Sequence, residues 1–148
     1  MKIDDALKGV KLLFLDTSPV VYFIEENPAY QPLVDNIFKR VDNGLLAAVA
    51  SAVTLAECLV VPYRLGQSQV HRAFVNLLVH GQNMTFVPVD SVVAARGAEL
   101  RASYNLALTD AFQVAAALVA GADAFLTNDL AFKRVQEIPI LVLDDLEL

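Results

Sequence analysis

Four acidic side chains stand at junctions far apart in the chain: Asp16 after the apolar run Leu12-Leu13-Phe14-Leu15, Glu57 in Thr-Leu-Ala-Glu, Asp110 in Leu-Thr-Asp-Ala-Phe, and Asp129 in Leu-Thr-Asn-Asp. Brought together, ionised carboxylates repel by roughly 4 kcal/mol per close pair at an effective dielectric of about 20. Such a cluster takes up protons or binds a cation. Oxygen donors alone favour Mg²⁺ or Mn²⁺ over Zn²⁺. His71 and His80 do not alter this, since their spacing matches no paired-ligand motif and both lie away from the acids in sequence. The single cysteine, Cys58, sits among Leu55, Leu59 and Val60 and reads as a small core residue. A hard cation on a few carboxylates suits phosphodiester chemistry: it lowers the pKa of a bound water and offsets charge on phosphate oxygens, and a second ion about 4 Å away would stabilise the leaving oxygen.

The elements around these acids follow from apolar periodicity. Lys11 to Leu15 is a short continuous apolar run, the pattern of a buried parallel strand, and it stops at Asp16. Ser18-Pro19 predicts a helix start, with Ser18 as N-cap and Pro19 in the first helical position, ending near Asn27-Pro28. A second helix is expected over Gln31 to Asp42, closed by Asn43-Gly44. Leu46 to Ala50 predicts a strand, and Ser51 to Leu65 a helix stopped by Gly66 and weakened at Pro62. Gln67 to His80 has an amphipathic helical pattern. Met84 to Val89 predicts a strand that Pro88 pushes to a sheet edge. Helices are expected at Ser91 to Tyr104 and Thr109 to Ala120, a strand at Ala124 to Leu126, a helical turn at Asn128 to Val135 and a last strand at Ile138 to Leu143. Strands alternating with helices imply one α/β domain with a central, mostly parallel sheet flanked by helices.

Each acid taken alone has a plain structural reading. Asp16 caps the helix near Ser18, Glu57 completes a capping box with Thr54, Asp110 complements a helix dipole, and Asp129 caps the turn at Leu130-Ala131. Their joint setting goes further. Asp16 and Thr127-Asn128-Asp129 both follow apolar strands, so both project at the C-terminal edge of a parallel sheet, where helix starts bring Glu57 and Asp110 toward the same crevice.

Composition is compatible with this site. The chain has 148 residues, one domain's worth, and 56% are apolar against 19% charged, so it folds around a substantial core and leaves apolar surface for a dimer or partner. Its longest apolar stretches, Leu45 to Ala56 and Val114 to Ala122, are too short to span a membrane. Asp4, Asp5, Lys8 and Lys11 interrupt the start where a signal peptide would be apolar. The expectation is a cytoplasmic protein. A formal net charge of −6 weighs against binding nucleic acid by bulk electrostatics. Removing Asp16, Glu57, Asp110 and Asp129 from the sum leaves −2, and Arg64, Arg72, Arg96 and Arg101 fall in a stretch whose only acids are Asp90 and Glu99. A basic flank beside an acidic pocket is therefore expected.

The motifs Leu-Asp-Thr-Ser, Thr-Leu-Ala-Glu-Cys, Leu-Thr-Asp-Ala-Phe-Gln-Val-Ala-Ala-Ala-Leu and Leu-Thr-Asn-Asp-Leu-Ala-Phe, in that order, resemble a PIN domain, and most closely the VapC-type toxin ribonucleases. The likeness runs from about Lys11 to Leu143. It implies an Mg²⁺- or Mn²⁺-dependent endoribonuclease with Asp16, Glu57, Asp110 and Asp129 as catalytic and metal-binding acids, Asp16 and Asp110 foremost as direct ligands. It also implies an RNA substrate, a homodimer and a small antitoxin covering the groove. Thr17 and Thr127 match small hydroxyl residues beside the acids, with a turn or capping role the alternative; no chemistry falls to Asn128. Two other classes compete: a non-catalytic PIN-like binding module, and a receiver-like Mg²⁺-binding signalling domain. The receiver pattern asks for an acidic pair after the first strand and a late lysine, and Asp16-Thr17-Ser18 and Thr127-Asn128-Asp129 supply neither.

Overall fold

The computed structural model describes residues 1–148. Five parallel strands, β1 (Leu12–Leu15), β2 (Ala47–Ser51), β3 (Met84–Val87), β4 (Ala124–Thr127) and β5 (Ile140–Val142), form one sheet in the order β3-β2-β1-β4-β5. The chain winds outward from β1 in one direction and then returns to add β4 on its other side, so a topological switch point lies between β1 and β4. Asp16 follows one of these strands and Asp129 the other.

Alternation along the strands distributes the core. Leu13, Leu15, Ala48, Ala50, Ala124 and Leu126 face one side, whereas Phe14, Val49 and Phe125 face the other. Helices α2 (Thr17–Ile24), α3 (Gln31–Asp42), α4 (Ala52–Leu65) and α5 (Ser68–Leu78) cover the first face. Helices α6 (Ser91–Tyr104) and α7 (Leu108–Ala120) cover the second, together with the 3₁₀ turn Leu130–Arg134 that brings in Phe132. Both faces of β1 are thus dry, which is why its sequence is apolar without alternation.

Several boundaries differ from the sequence-based expectation. The first helix after β1 begins at Thr17 with Asp16 in the N-cap position, so Ser18 is not the cap. Helix α4 continues through Pro62, which forgoes the bond its missing N–H would make, and Gly66, at φ 65°, ends the helix. Helix α5 stops at Leu78, leaving His80 outside it; Gly81 follows where a Cβ would stand 2.2 Å from the Leu77 carbonyl oxygen. Strand β3 does lie at an edge and ends before Pro88. The last strand is only Ile140–Val142, the three residues that pair with β4.

The charged N-terminal lead is also built into the fold. Ile3–Ala6 forms a short helix, α1, and Ile3 and Leu7 are buried beside Leu143 and Leu146. The Met1 amino group donates to the Asp145 carbonyl at 2.8 Å, and the Ile3 N–H to that of Glu147 at 2.8 Å. The packed core therefore includes Ile3, Leu7 and Leu146, outside the stretch from Lys11 to Leu143 that carries the resemblance. No helix is long and apolar enough to cross a membrane.

Candidate active site

At the C-terminal edge of the sheet, Asp16, Glu57, Asp110 and Asp129 line one cleft of about 360 Å³ with Thr17, Ser18, Val21 and Tyr22. All four predicted acids come together there. The strand order explains it: β1 delivers Asp16, its neighbour β4 delivers Asp129, and the early turns of α4 and α7 deliver Glu57 and Asp110.

Asp16 is the most enclosed of the four, with 7% of its surface exposed. It occupies the N-cap position of α2, yet its carboxylate makes no capping bond. Instead Oδ2 accepts from Thr127 Oγ1 at 2.7 Å and Oδ1 from Gln113 Nε2 at 3.3 Å. Burial pushes its pKa up; the Thr127 hydroxyl and the Thr17 N–H pull it back, Glu57 raises it and Gln113 lowers it. These donors favour the charged form in a place where burial alone would neutralise it.

Asp110 is half-buried in the first turn of α7. Its pKa is pushed up to about 6, first by burial and then by the charges of Asp16, Asp129 and Glu57. The cluster thus acts on itself as a group of like charges. Its place near the N-terminus of α7 also fits the helix-dipole role, which is compatible with lining the cleft.

Glu57 is exposed, and its plain reading as half of a capping box fails. The true N-cap is Ser51, whose Oγ accepts from Val53 N–H at 3.0 Å and Thr54 N–H at 3.2 Å. Thr54 instead turns inward and donates to the Leu15 carbonyl at 3.2 Å, while Glu57 Oε1 accepts from Thr17 Oγ1 at 3.1 Å. Asp129 does cap, accepting the Ala131 N–H at 2.9 Å, and still lines the cleft. Thr127 links two of the acids, donating to Asp16 and accepting the Asp129 N–H at 3.0 Å.

Sequence pattern does not single out Gln113, Ser51 and Thr54 as supports of the acids. All three are fully buried. Gln113 Nε2 donates to Thr54 Oγ1 at 2.7 Å as well as to Asp16, and the Ser51 hydroxyl donates to Gln113 Oε1. The available signal is a lone amide three residues after Asp110 and next to the otherwise apolar run Val114 to Ala120. Asn128 is a latch: its N–H donates to Ser18 Oγ at 3.1 Å and its Oδ1 accepts the Asp144 N–H at 3.0 Å.

The donor set fits a hard divalent cation, since the acids contribute oxygen only and Cys58, though next to Glu57, is buried with its thiol pKa pushed up to about 12 by burial, ahead of the charges of Glu57, Asp16 and Glu25. No three Asp, Glu, His or Cys side chains stand close enough together to hold a metal ion between them as placed. An open arrangement suits Mg²⁺, which retains several waters and takes only one or two protein carboxylates.

The expected basic flank is smaller than four arginines. Arg96 pairs with Glu99, and Arg101 donates to the Leu106 carbonyl. Arg101 keeps its charge, since a carbonyl is neutral, and Arg64 and Arg72 lie in a stretch from Cys58 to Val89 that has no aspartate or glutamate. Arg72 borders a second depression of about 360 Å³ beside Tyr63 and His71, whose side chains meet at 2.9 Å.

A doubly wound α/β domain with an acidic cleft at its switch point is the class that fold and site define. The PIN domain family model matches residues 13–138, and the chain belongs to that family. Comparison with curated protein sequences gives no significant match. Among solved structures, VapBC2 from Rickettsia felis bound to a promoter DNA fragment is 17% identical, with a TM-score of 0.68 over 88% of this chain and 98% of that one. DNA-bound VapBC from Salmonella typhimurium is 19% identical, with a TM-score of 0.64 over 90% and 98%. VapC20 from Mycobacterium tuberculosis, a Sarcin-Ricin loop cleaving toxin, is 14% identical, with a TM-score of 0.67 over 82% and 93%. At these identities the shared property is the fold.

Proposed function

We propose that this chain is a divalent-cation-dependent endoribonuclease of the PIN family and the toxin of a toxin-antitoxin pair. The observation that carries this reading is the convergence of Asp16, Glu57, Asp110 and Asp129 on one cleft. The fold likeness to VapBC proteins and to a Sarcin-Ricin loop cleaving VapC toxin supports the biological role. The assignment includes Mg²⁺ or Mn²⁺ as cofactor, a homodimer, a small antitoxin as partner and a cytoplasmic setting. No lysine lines the cleft, which disfavours the receiver-like alternative.

Asp16 and Asp110 are the proposed direct ligands, with Asp129 beside them. When bound, Mg²⁺ would activate water and offset charge on the scissile phosphate. Asp16 enters this chemistry already oriented, since both its oxygens accept fixed hydrogen bonds. Asp110 must give up the proton that burial and its acidic neighbours favour, so the cleft binds a cation more weakly as pH falls toward about 6. Glu57 is held on one oxygen by Thr17 and lines the cleft, where it can orient water or accept its proton. Tyr22 and Ser18 add hydroxyls to the same wall.

The test is cleavage of a total RNA pool by wild type and Asp110→Ala, with Mg²⁺, Mn²⁺ or chelator, followed by end mapping. Loss of the cation or of a ligand removes several kcal/mol of transition-state stabilisation, so turnover should fall by on the order of 10³-fold. Undiminished cleavage by folded Asp110→Ala, across several RNAs, would overturn the site. Wild type that takes up no Mn²⁺ in calorimetry at neutral pH would favour the non-catalytic binding module.

A further inference from the structure

The side chain of Gln113 has no exposed surface, so each of its polar atoms needs a partner. The surrounding groups allow only one arrangement. The Thr54 hydroxyl hydrogen is directed to the Leu15 carbonyl, which leaves a Thr54 lone pair facing the amide. The carboxylate of Asp16 can only accept. Nε2, with two hydrogens, therefore faces Thr54 and Asp16, and Oε1 faces the hydroxyl of Ser51. Turning the amide over would place its oxygen against two acceptors.

Three elements meet at this amide. Asp16 follows β1, Ser51 and Thr54 open the helix that carries Glu57, and Gln113 lies one turn beyond Asp110 on α7. Gln113 and Thr127 grip opposite oxygens of Asp16, so together they fix the plane of its carboxylate.

We infer that Gln113 is a positioning residue of the acidic cleft, setting the orientation of Asp16 and holding the starts of α4 and α7 in register with the end of β1. This rests on the nuclease reading above. A core residue that merely satisfied Ser51 and Thr54 would affect folding stability alone, whereas a positioning residue also affects cation affinity and turnover in the folded protein.

The experiment compares Gln113→Met, which keeps length but not hydrogen bonds, with Val114→Ala, an apolar truncation at the next buried position of the same helix. Each is measured by thermal melting, by Mn²⁺ calorimetry and by steady-state RNA cleavage. Gln113→Met should weaken Mn²⁺ binding and lower kcat by about tenfold or more, the scale set by hydrogen bonds behind metal ligands, with KM for RNA little changed. Val114→Ala should lower the melting temperature while leaving both unchanged. If Gln113→Met does not fold, Thr54→Val serves: it frees one Gln113 hydrogen and should produce a smaller loss of the same two quantities. Unchanged Mn²⁺ affinity and kcat in whichever of these two variants is folded would overturn the inference while leaving the nuclease reading intact. Wild type that neither binds Mn²⁺ nor cuts RNA would overturn both.

Discussion

Thr127 Oγ1 donates to Asp16 Oδ2 across 2.7 Å, joining the ends of two adjacent strands whose residues are 111 apart in sequence. The same hydroxyl accepts the Asp129 N–H, so one small side chain fixes two acids of the cleft. Because Thr127 is fully buried, no water replaces it when it is lost.

Thr127→Val should therefore leave Asp16 short of a donor and cost about 1–3 kcal/mol of stability, measured by urea denaturation with chelator present. Thr127→Ser, which keeps the hydroxyl, should recover most of that loss.

The pH dependence of folding should carry the signature of Asp110. Its pKa is raised from the ordinary 3.8 to about 6 in the folded chain, so there it holds its proton more tightly than in the unfolded chain. Its contribution to stability is fully present below the unfolded value and is lost as pH rises through the folded one. In chelator, Asp110→Asn should gain in melting temperature relative to wild type between about pH 4 and about pH 7. Added Mg²⁺ should stabilise wild type and not the variant.

Gly97 lies where helix α6 meets Phe112 of α7. A Cβ at position 97 would stand 2.5 Å from Phe112 Cδ1, closer than packed atoms approach. Gly97→Ala should force α6 away from α7 and destabilise by about 1–3 kcal/mol in guanidinium titrations, despite the better helix propensity of alanine.

Arg64 and Arg72 belong to the predicted basic flank and lie in a stretch without acids. Replacing either by glutamate should lower kcat/KM for RNA and flatten its dependence on salt, reducing the log–log slope by about 1 for each RNA phosphate that the arginine had neutralised. The same changes at Arg96, whose charge is already met by Glu99, should have a smaller effect.

Ser51 both caps α4 and donates to Gln113. Ser51→Ala should cost about 1–2 kcal/mol from the cap, with a further penalty for the unpaired Gln113 oxygen. Double-mutant cycles with Gln113→Met, read by chemical denaturation, should show strong coupling.

Sequence alone determined the class of fold and the order of the acids. Short apolar runs without alternation fit strands covered on both faces, and strands alternating with helices favour a parallel sheet whose loops meet at one edge. Asp16 and Asp129 were legible because each follows such a run, and Glu57 and Asp110 because they sit in early helical turns. What local pattern does not contain is the identity of a neighbour. The strand order β3-β2-β1-β4-β5, set by packing of helices on both faces, puts Asp16 beside Thr127 and Asp129. Tertiary packing also turned Thr54 away from Glu57 and folded the charged N-terminal lead onto the chain's last residues. The partnership of Gln113 with Asp16 spans 97 positions. A buried hydrogen bond of that reach exists only once the sheet and α7 have closed around it, because its strength comes from excluded water and from geometry that no short stretch of sequence encodes.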